Sequence, residues 1–376
     1  MKQRLETGVL YCEDNLRQLT RIPDNSVDLI YLDPPFFSNR NYEVIWGDEA
    51  EVRSFEDRWA GGITLYIEWM RDRARELHRV LKDSGSLYLH CDPHASHYLK
   101  VMLDEIFGQS MFRNEIVWRR TGAHGKARRY SPIHDTILFY TKSNSYIWNK
   151  IKRPYMKGHV KEHFIQDESG WRTNYYGNVL TGSGRRGGLS GMPWRGIDPT
   201  SKGRHWAIPR ALLDEIDDDL SSLTQHEKLD RLLELGLIML NPDNYWPSYQ
   251  HYITPQDGTT VPDIWAYQPY TEGAVFGTNE GVDSDVRWLS TRDKERLGYP
   301  TQKPEALLRR IIEASSNTGD LILDPFCGCG TTVTVAEKMS REWIGIDISP
   351  TAVNIMEARI RKSSPKEQFP KSSECP

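Results

Sequence analysis

The stretch LILDPFCGCGTTVTVAEKMSREWIGIDIS, residues 321–349, reads as an apolar strand, a glycine turn, a helix and a second apolar strand ending in an acidic residue. That succession is a βαβ unit, which commits a chain to parallel strands covered by helices. Gly328 and Gly330 stand where the first strand must turn sharply into the helix, and glycine lets backbone approach a ligand at positive φ. Thr331 and Thr332 are placed to cap that helix. Asp347 follows Asp324 by 23 residues at the end of the second strand, where a carboxylate accepts hydrogen bonds from ribose hydroxyls. The glycines form GxG without the third member of the dinucleotide fingerprint, which counts against NAD. The pattern points to a different nucleoside-bearing cofactor. Such a unit usually opens its domain, yet here 320 residues precede it.

Those residues divide by pattern. Residues 1–142 alternate strand-like and helix-like segments. SVDLIYLDPPF is an apolar, β-branched run that stops at two prolines, and so reads as a buried strand delivering a loop. Apolar or aromatic residues at 66, 67, 70, 74, 77, 80 and 81 predict an amphipathic helix ending at Gly85. SLYLHCD then reads as a strand, HASHYLKVMLDEIFG as a helix and HDTILFYTK as a strand. The α/β pattern resumes over 298–361, with TQKPEALLRRIIEASS and SPTAVNIMEARIRK as helices. Residues 362–376 form a polar tail that reads as disordered. The expected fold is a mostly parallel, Rossmann-like sheet with helices on both faces.

Residues 143–297 break the alternation and read as a separate, irregular lobe, with one or two helices between Pro209 and Gly236. Its stretch TGSGRRGGLSGMPWRG looks like a loop, or a segment ordered only by a partner. Charge is uneven here. Residues 113–210 carry 19 Lys/Arg against 6 Asp/Glu, a balance of +13 in a chain whose net charge is −4, so the remainder stands at −17. Aromatics are interleaved with those cations (Trp118, Tyr130, Trp148, Tyr155, Trp171, Tyr175, Tyr176, Trp194, Trp206), as on a face meant for a polyanion. The five cysteines are scattered, with no second Cys or His pair at zinc spacing near Cys327 and Cys329. They read as reduced thiols, and no metal site is expected. No apolar run reaches the roughly 20 residues of a membrane span, so no membrane partner is expected.

The motif LDPPF at 32–36 carries chemistry of its own. Two prolines are a costly way merely to end a strand, but they make a rigid wall. Asp33 supplies a carboxylate, Pro34 a carbonyl and Phe36 a flat face, a set that can hold a planar group bearing an amino function. DPPF, followed by TQKP at 301–304 and DPFCGCGTT at 324–332, resembles the β group of S-adenosylmethionine-dependent DNA amino-methyltransferases. The resemblance covers residues 5–142 and 299–361. It implies a circularly permuted methyltransferase sheet whose catalytic half comes first, with a target-recognition lobe between the halves. The late glycine turn is thereby accounted for.

The resemblance implies roles residue by residue. Asp33, Pro34, Pro35 and Phe36 form the catalytic motif. Asp324, Phe326, Gly328, Gly330 and Thr331 wrap the methionine end of S-adenosylmethionine, and Asp347 takes its ribose. Thr301, Gln302 and Lys303, with Pro304, pack against the cofactor from the other side. Asp14 in YCEDNLRQL matches the acidic residue near the adenine, although Glu13 stands where the family commonly has glycine. His90, Asp92 and His134 read as packing or supporting groups. The implied reaction is methylation of adenine N6 in double-stranded DNA, on a base flipped out of the duplex. Alternatives are cytosine N4, methylation of RNA or of a protein amide, and a non-catalytic DNA-binding subunit. A homodimer and a cognate restriction nuclease stay open as further partners. The expected location is the cytoplasm of a prokaryote, or of a phage host.

Overall fold

The computed structural model of the 376-residue chain describes residues 5–37, 62–123, 128–168, 170–173, 178–213, 220, 222–242, 245–249, 252–276, 281–299, 301–363 and 371–372. The chain divides into two compact units, one of Met1–Ile151, Thr260–Thr271 and Gly281–Pro376, the other of Lys152–Thr259 and Glu272–Glu280.

Nine strands of the first unit form one sheet: β1 (Val9–Cys12), β2 (Val27–Leu32), β3 (Leu81–Cys91), β4 (Phe112–Arg119), β5 (His134–Thr141), β6 (Ile264–Trp265), β7 (Leu321–Asp324), β8 (Glu342–Asp347) and β9 (Lys371–Ser372). Their order is β6-β4-β5-β3-β2-β7-β8-β1-β9. All neighbours are parallel except β5, which runs antiparallel to both β3 and β4. Among the described residues of this unit, the α-helices are α1 (Asn15–Leu19), α2 (Gly62–Val80), α3 (Ser96–Phe107), α4 (Glu305–Ser315), α5 (Thr331–Lys338) and α6 (Pro350–Ser363).

Side chains alternate across a strand, so an apolar run with no polar positions needs cover on both faces. In β2, Ile30 and Leu32 join α2 and α3 in one apolar cluster, whereas Leu29 and Tyr31 join α4, α5 and α6 in another. The expected sheet with helices on both faces is therefore present. The glycine-turn unit, last in sequence, sits in its middle: β7 pairs with β2 through Ile322↔Leu29 and Leu323↔Ile30. The connection after β2 leads to β3 on one side, and that after β7 leads to β8 on the other. The paired carboxyl ends of β2 and β7 thus mark a topological switch point, where α/β sheets open a crevice for ligands.

Several expectations need correction. Helix α2 ends at Val80 instead of Gly85, and β3 starts at once with Leu81. The last helical carbonyls are taken by strand-side donors: Asn25 N–H to Arg79 O at 3.1 Å and Ser26 N–H to Val80 O at 2.8 Å. Thr331 and Thr332 do not cap α5; Gly330 holds the cap position, with no side-chain cap bond. Cys91, Cys327 and Cys329 are free and buried, but Cys12 is disulfide-bonded, so not every cysteine is a reduced thiol. Of the tail expected to be disordered, Lys371–Ser372 pairs with Val9 and Leu10, and residues 364–370 and 373–376 lie outside the described residues.

The second unit has an apolar core of its own, built from Leu180, Trp194, Trp206, Leu212, Leu229, Leu232 and Ile238. Helices cover Arg210–Leu213 and Gln225–Glu234, the latter opened by a Thr224/Glu227 capping box. Around them stand short antiparallel pairings, such as Thr181–Ser183 with Arg204–Trp206. The glycine-rich stretch is anchored within this unit. Trp194 is 3% exposed, and Trp206 Nε1–H donates to Met192 O at 2.8 Å. Trp118, Trp194 and Trp206 are therefore packing residues and not part of a polyanion face. A lobe with few apolar residues gains most core volume from its largest side chains. Tyr130 is fully exposed, while Tyr175 and Tyr176 lie outside the described residues.

Candidate active site

Four acidic residues stand at or just beyond the carboxyl ends of adjacent parallel strands: Asp14 after β1, Asp33 after β2, Asp324 closing β7 and Asp347 closing β8. They rim one cavity of about 340 Å³ in the first unit. Every residue that the sequence nominated lines this cavity, except Pro304 and Gly330.

Asp33, Pro34, Pro35 and Phe36 form one wall. Lys303, buried at 8% exposure, reaches across to form an ion pair with Asp33 Oδ2. The same Nζ lies 5.2 Å from the centre of the Phe36 ring, a cation–π distance. Gln302 is pinned by Leu297 N–H to its Oε1 and by its Nε2 to Glu295 O, both at 2.8 Å. Thr331 Oγ1 donates to Lys303 O at 3.3 Å, tying the 301–303 strip to the glycine turn.

The turn itself is set by two carboxylates. Gly328, at φ +50°, donates its N–H to Asp347 Oδ2 at 2.7 Å, and Ser349 N–H donates to Asp347 Oδ1 at 2.9 Å. A Cβ on Gly328 would lie 3.2 Å from the Tyr299 ring, so a side chain there would crowd the cavity wall. Asp324 takes Phe326 N–H at 3.1 Å. Burial pushes its carboxyl up to about 7, with the charges of Asp33 and Asp347 adding and hydrogen bonds from Thr332 and Phe326 opposing. Burial also raises Asp347. Gly330 faces away. At φ +75° it lets the chain enter α5, and a Cβ would stand 2.2 Å from Met356 Cγ. Packing by itself requires glycine there.

At the far end, Asp14 caps α1 through Leu16 N–H at 2.9 Å and pairs with Arg73 Nη2 at 2.7 Å. Arg73 also donates to Asn15 Oδ1 at 2.7 Å and lies 3.8 Å over the Trp69 ring. Trp69 in turn packs on Phe326, with ring centres 5.7 Å apart. Asn15, Trp69, Tyr31 and Tyr299 line the cavity and were not singled out from sequence. The legible signal was Arg73, a cation on the apolar stripe of α2 between Met70 and Leu77. Among the described residues, no group of His, Cys, Asp or Glu is arranged to hold a metal, and no helix is long and apolar enough to cross a membrane.

These residues fit a nucleoside cofactor carrying positive charge: a buried carboxylate (Asp324) and a half-buried one (Asp347), a close-approach glycine turn and flanking aromatic rings lie in one crevice. The sequence profile of the N6/N4 methylase family, described as DNA methylase, matches residues 27–358. Among similar proteins, the type II methyltransferase M.EcaI of Enterobacter cloacae is 30% identical over 350 residues, covering 89% of this chain and 65% of the relative. The chain thus spans about two thirds of that relative's length. The DNA adenine methyltransferase YhdJ of Escherichia coli K12 is 25% identical over 338 residues, covering 89% of this chain and 76% of YhdJ. A solved PvuII DNA methyltransferase (cytosine-N4-specific) superposes with a TM-score of 0.47 at 13% identity, covering 94% of this chain and 86% of that one.

Proposed function

Because the chain belongs to the N6/N4 DNA methylase family, whose methyl donor is S-adenosylmethionine, we propose that it methylates adenine N6 in duplex DNA at one short recognition sequence. The observation that carries this reading is the placement of the DPPF wall and the glycine turn in a single cavity. When bound, S-adenosylmethionine supplies an electrophilic methyl group on a cationic sulfur. Asp347 is placed for the ribose hydroxyls, the Gly328 turn and Phe326 for the methionine end, and Asp14 with Asn15 for the adenine end.

An exocyclic amine is a poor nucleophile because its lone pair is delocalised into the ring. Hydrogen bonds from the amino group to Asp33 and to Pro34 O favour a pyramidal nitrogen with a localised lone pair. Lys303 takes one oxygen of Asp33, and the carboxylate has a second to offer. Fixed acceptors also stabilise the positive charge that develops on nitrogen. Aligning amine and methyl contributes roughly 7–11 kcal/mol in well-oriented cases. The amine is out of reach within a duplex, so the base flips and stacks on Phe36, itself held by Lys303 and His90.

Adenine is favoured over cytosine by the aspartate that opens the motif, which resembles the adenine enzymes, and by the named activity of YhdJ. The relatives named as type II methyltransferases support a role beside a restriction nuclease in a prokaryotic or phage-infected cytoplasm. The test is to incubate the protein with labelled S-adenosylmethionine and plasmid DNA, then digest to nucleosides and identify the labelled product by mass spectrometry. Label in N6-methyladenine is expected. Label only in N4-methylcytosine would move the protein to the neighbouring class, and label only in RNA or protein would overturn the DNA reading.

A further inference from the structure

Beneath the catalytic wall lies a polar chain that the methyl-transfer scheme above does not use. His90, in the middle of the sheet on β3, is fully buried. Its Nδ1 is 2.8 Å from Tyr31 Oη, and its Nε2 is 3.3 Å from Asp135 Oδ2. Asp135, on β5, is 2% exposed, and its other oxygen lies 2.9 Å from Arg120 Nε, an ion pair without the geometry of a hydrogen bond. The imidazole packs against Phe36 at 5.8 Å and edge-on to Trp118 at 5.6 Å. Trp118 is itself fixed by donating Nε1–H to Val286 O at 2.8 Å. Tyr31, on β2, stands two residues before Asp33 and is among the residues that line the cavity. A buried polar chain of this kind is expensive unless each member has its partner, so its hydrogen positions are constrained.

With a neutral His90 ring the constraint has one solution. Arg120 is a donor only, so it holds Asp135 as an acceptor. Asp135 Oδ2 then accepts from His90 Nε2–H, which leaves Nδ1 of the neutral ring as an acceptor. Nδ1 in turn takes the Tyr31 hydroxyl proton. We propose that Arg120, Asp135 and His90 are positioning residues that commit the Tyr31 proton inward, so that Tyr31 presents its oxygen to the reacting amine and methyl as a fixed acceptor. This rests on the methylase reading above. Burial pushes the Tyr31 phenol well up, with Asp33 and Asp324 adding, so the hydroxyl keeps its proton and has one to commit. An oxygen lone pair beside the developing cation stabilises it, whereas a hydroxyl proton turned the other way would oppose it or occupy Asp33.

The test uses a substitution that reverses the chain without changing its shape. In Asp135→Asn, the positive charge of Arg120 favours the amide oxygen on its side, so the amide NH2 faces His90 Nε2 and donates to it. The imidazole proton then moves to Nδ1, and the Tyr31 proton is turned into the cavity. Single-turnover methyl transfer in Asp135→Asn and in Tyr31→Phe should each fall about tenfold, less than the loss of a dedicated oxyanion donor. The Kd for S-adenosylmethionine should stay within about twofold. The double variant should be no slower than Tyr31→Phe alone. Independent losses that multiply in the double variant would overturn the proposal, because a merely structural role of Asp135 does not depend on the Tyr31 hydroxyl. A second measurement needs no activity. Long-range proton–nitrogen spectra of histidine-labelled wild-type protein, with His90 assigned through His90→Gln, should show a neutral ring protonated on Nε2. A proton on Nδ1 would refute the chain even if the DNA reading holds, and absence of any methylated nucleoside would sink the DNA reading while leaving this result standing.

Discussion

Asp33 and Asp347 are both carboxylates on the rim of one cavity, and the proposed function gives them separable effects. Asp33→Ala should abolish methyl transfer while the Kd for S-adenosylmethionine stays within a few-fold; near-normal turnover would remove Asp33 from the mechanism. Asp347→Ala should weaken cofactor binding directly, by about 1.5–3 kcal/mol for charged hydrogen bonds, as read by calorimetry. Asp324 sets a pH dependence. Its carboxyl, pushed up to about 7 in the folded protein from an ordinary value of 3.8, still holds a proton where the unfolded chain has released it. Its contribution to stability therefore falls as pH rises through that window, and Asp324→Asn should remove this slope. A cationic ligand favours the carboxylate, so binding expels that proton. The Kd for S-adenosylmethionine should fall by up to about tenfold per pH unit below about 7 and then level off. A Kd unchanged between pH 5 and 8 would show that Asp324 does not carry this proton.

The elements around the site are held by a few close approaches. Helix α5 starts directly at the glycine turn because Gly330 is in the left-handed region and Met356 of α6 fills the space a Cβ would need. Gly330→Ala combines backbone strain with overpacking and should cost about 2–4 kcal/mol. Thermal and urea unfolding would measure that loss, and Met356→Ala in the same chain should relieve the packing part. Arg359 ties α6 to the same region: it is 8% exposed and donates to Thr331 Oγ1 at 3.0 Å and to Glu305 Oε1 at 3.0 Å. Neither Gly330 nor Arg359 needs to touch a ligand to matter for the shape of the turn.

For the whole molecule, the +13 balance of residues 113–210 is the feature with a direct solution consequence. DNA affinity should fall steeply with salt, with each phosphate contact adding about 0.9 to the magnitude of the log–log slope. Arg185 and Arg186, exposed in the glycine-rich stretch, are suitable probes. Replacing Arg186 with Ala should lower the slope by about 0.9 if it meets a phosphate, with little change in unfolding temperature. A slope near zero for the wild-type chain would argue against a polyanion face.

Periodicity and motif spacing determined the α/β class and the late position of the glycine-turn unit, because strand ends and turn glycines are local features, while the resemblance of the motifs to the methyltransferase family supplied most of the cavity lining. DPPF, TQKP and DPFCGCGTT could be assigned to one site before any strand pairing was known because their order resembles that of the family; DPPF and DPFCGCGTT stand at the ends of parallel strands, and TQKP leads into α4. What tertiary structure decided was how those local pieces meet. Only the pairing of β2 with β7 brings Asp33 beside Asp324, and only the approach of α6 shows that Gly330 serves packing. Trp118, Trp194 and Trp206, which looked like part of a nucleic-acid face, turned out to be core, because burial depends on neighbours distant in sequence. The Tyr31–His90–Asp135 chain joins β2, β3 and β5 across the sheet. No spacing along the chain encodes it, since its geometry arises from strand order and register.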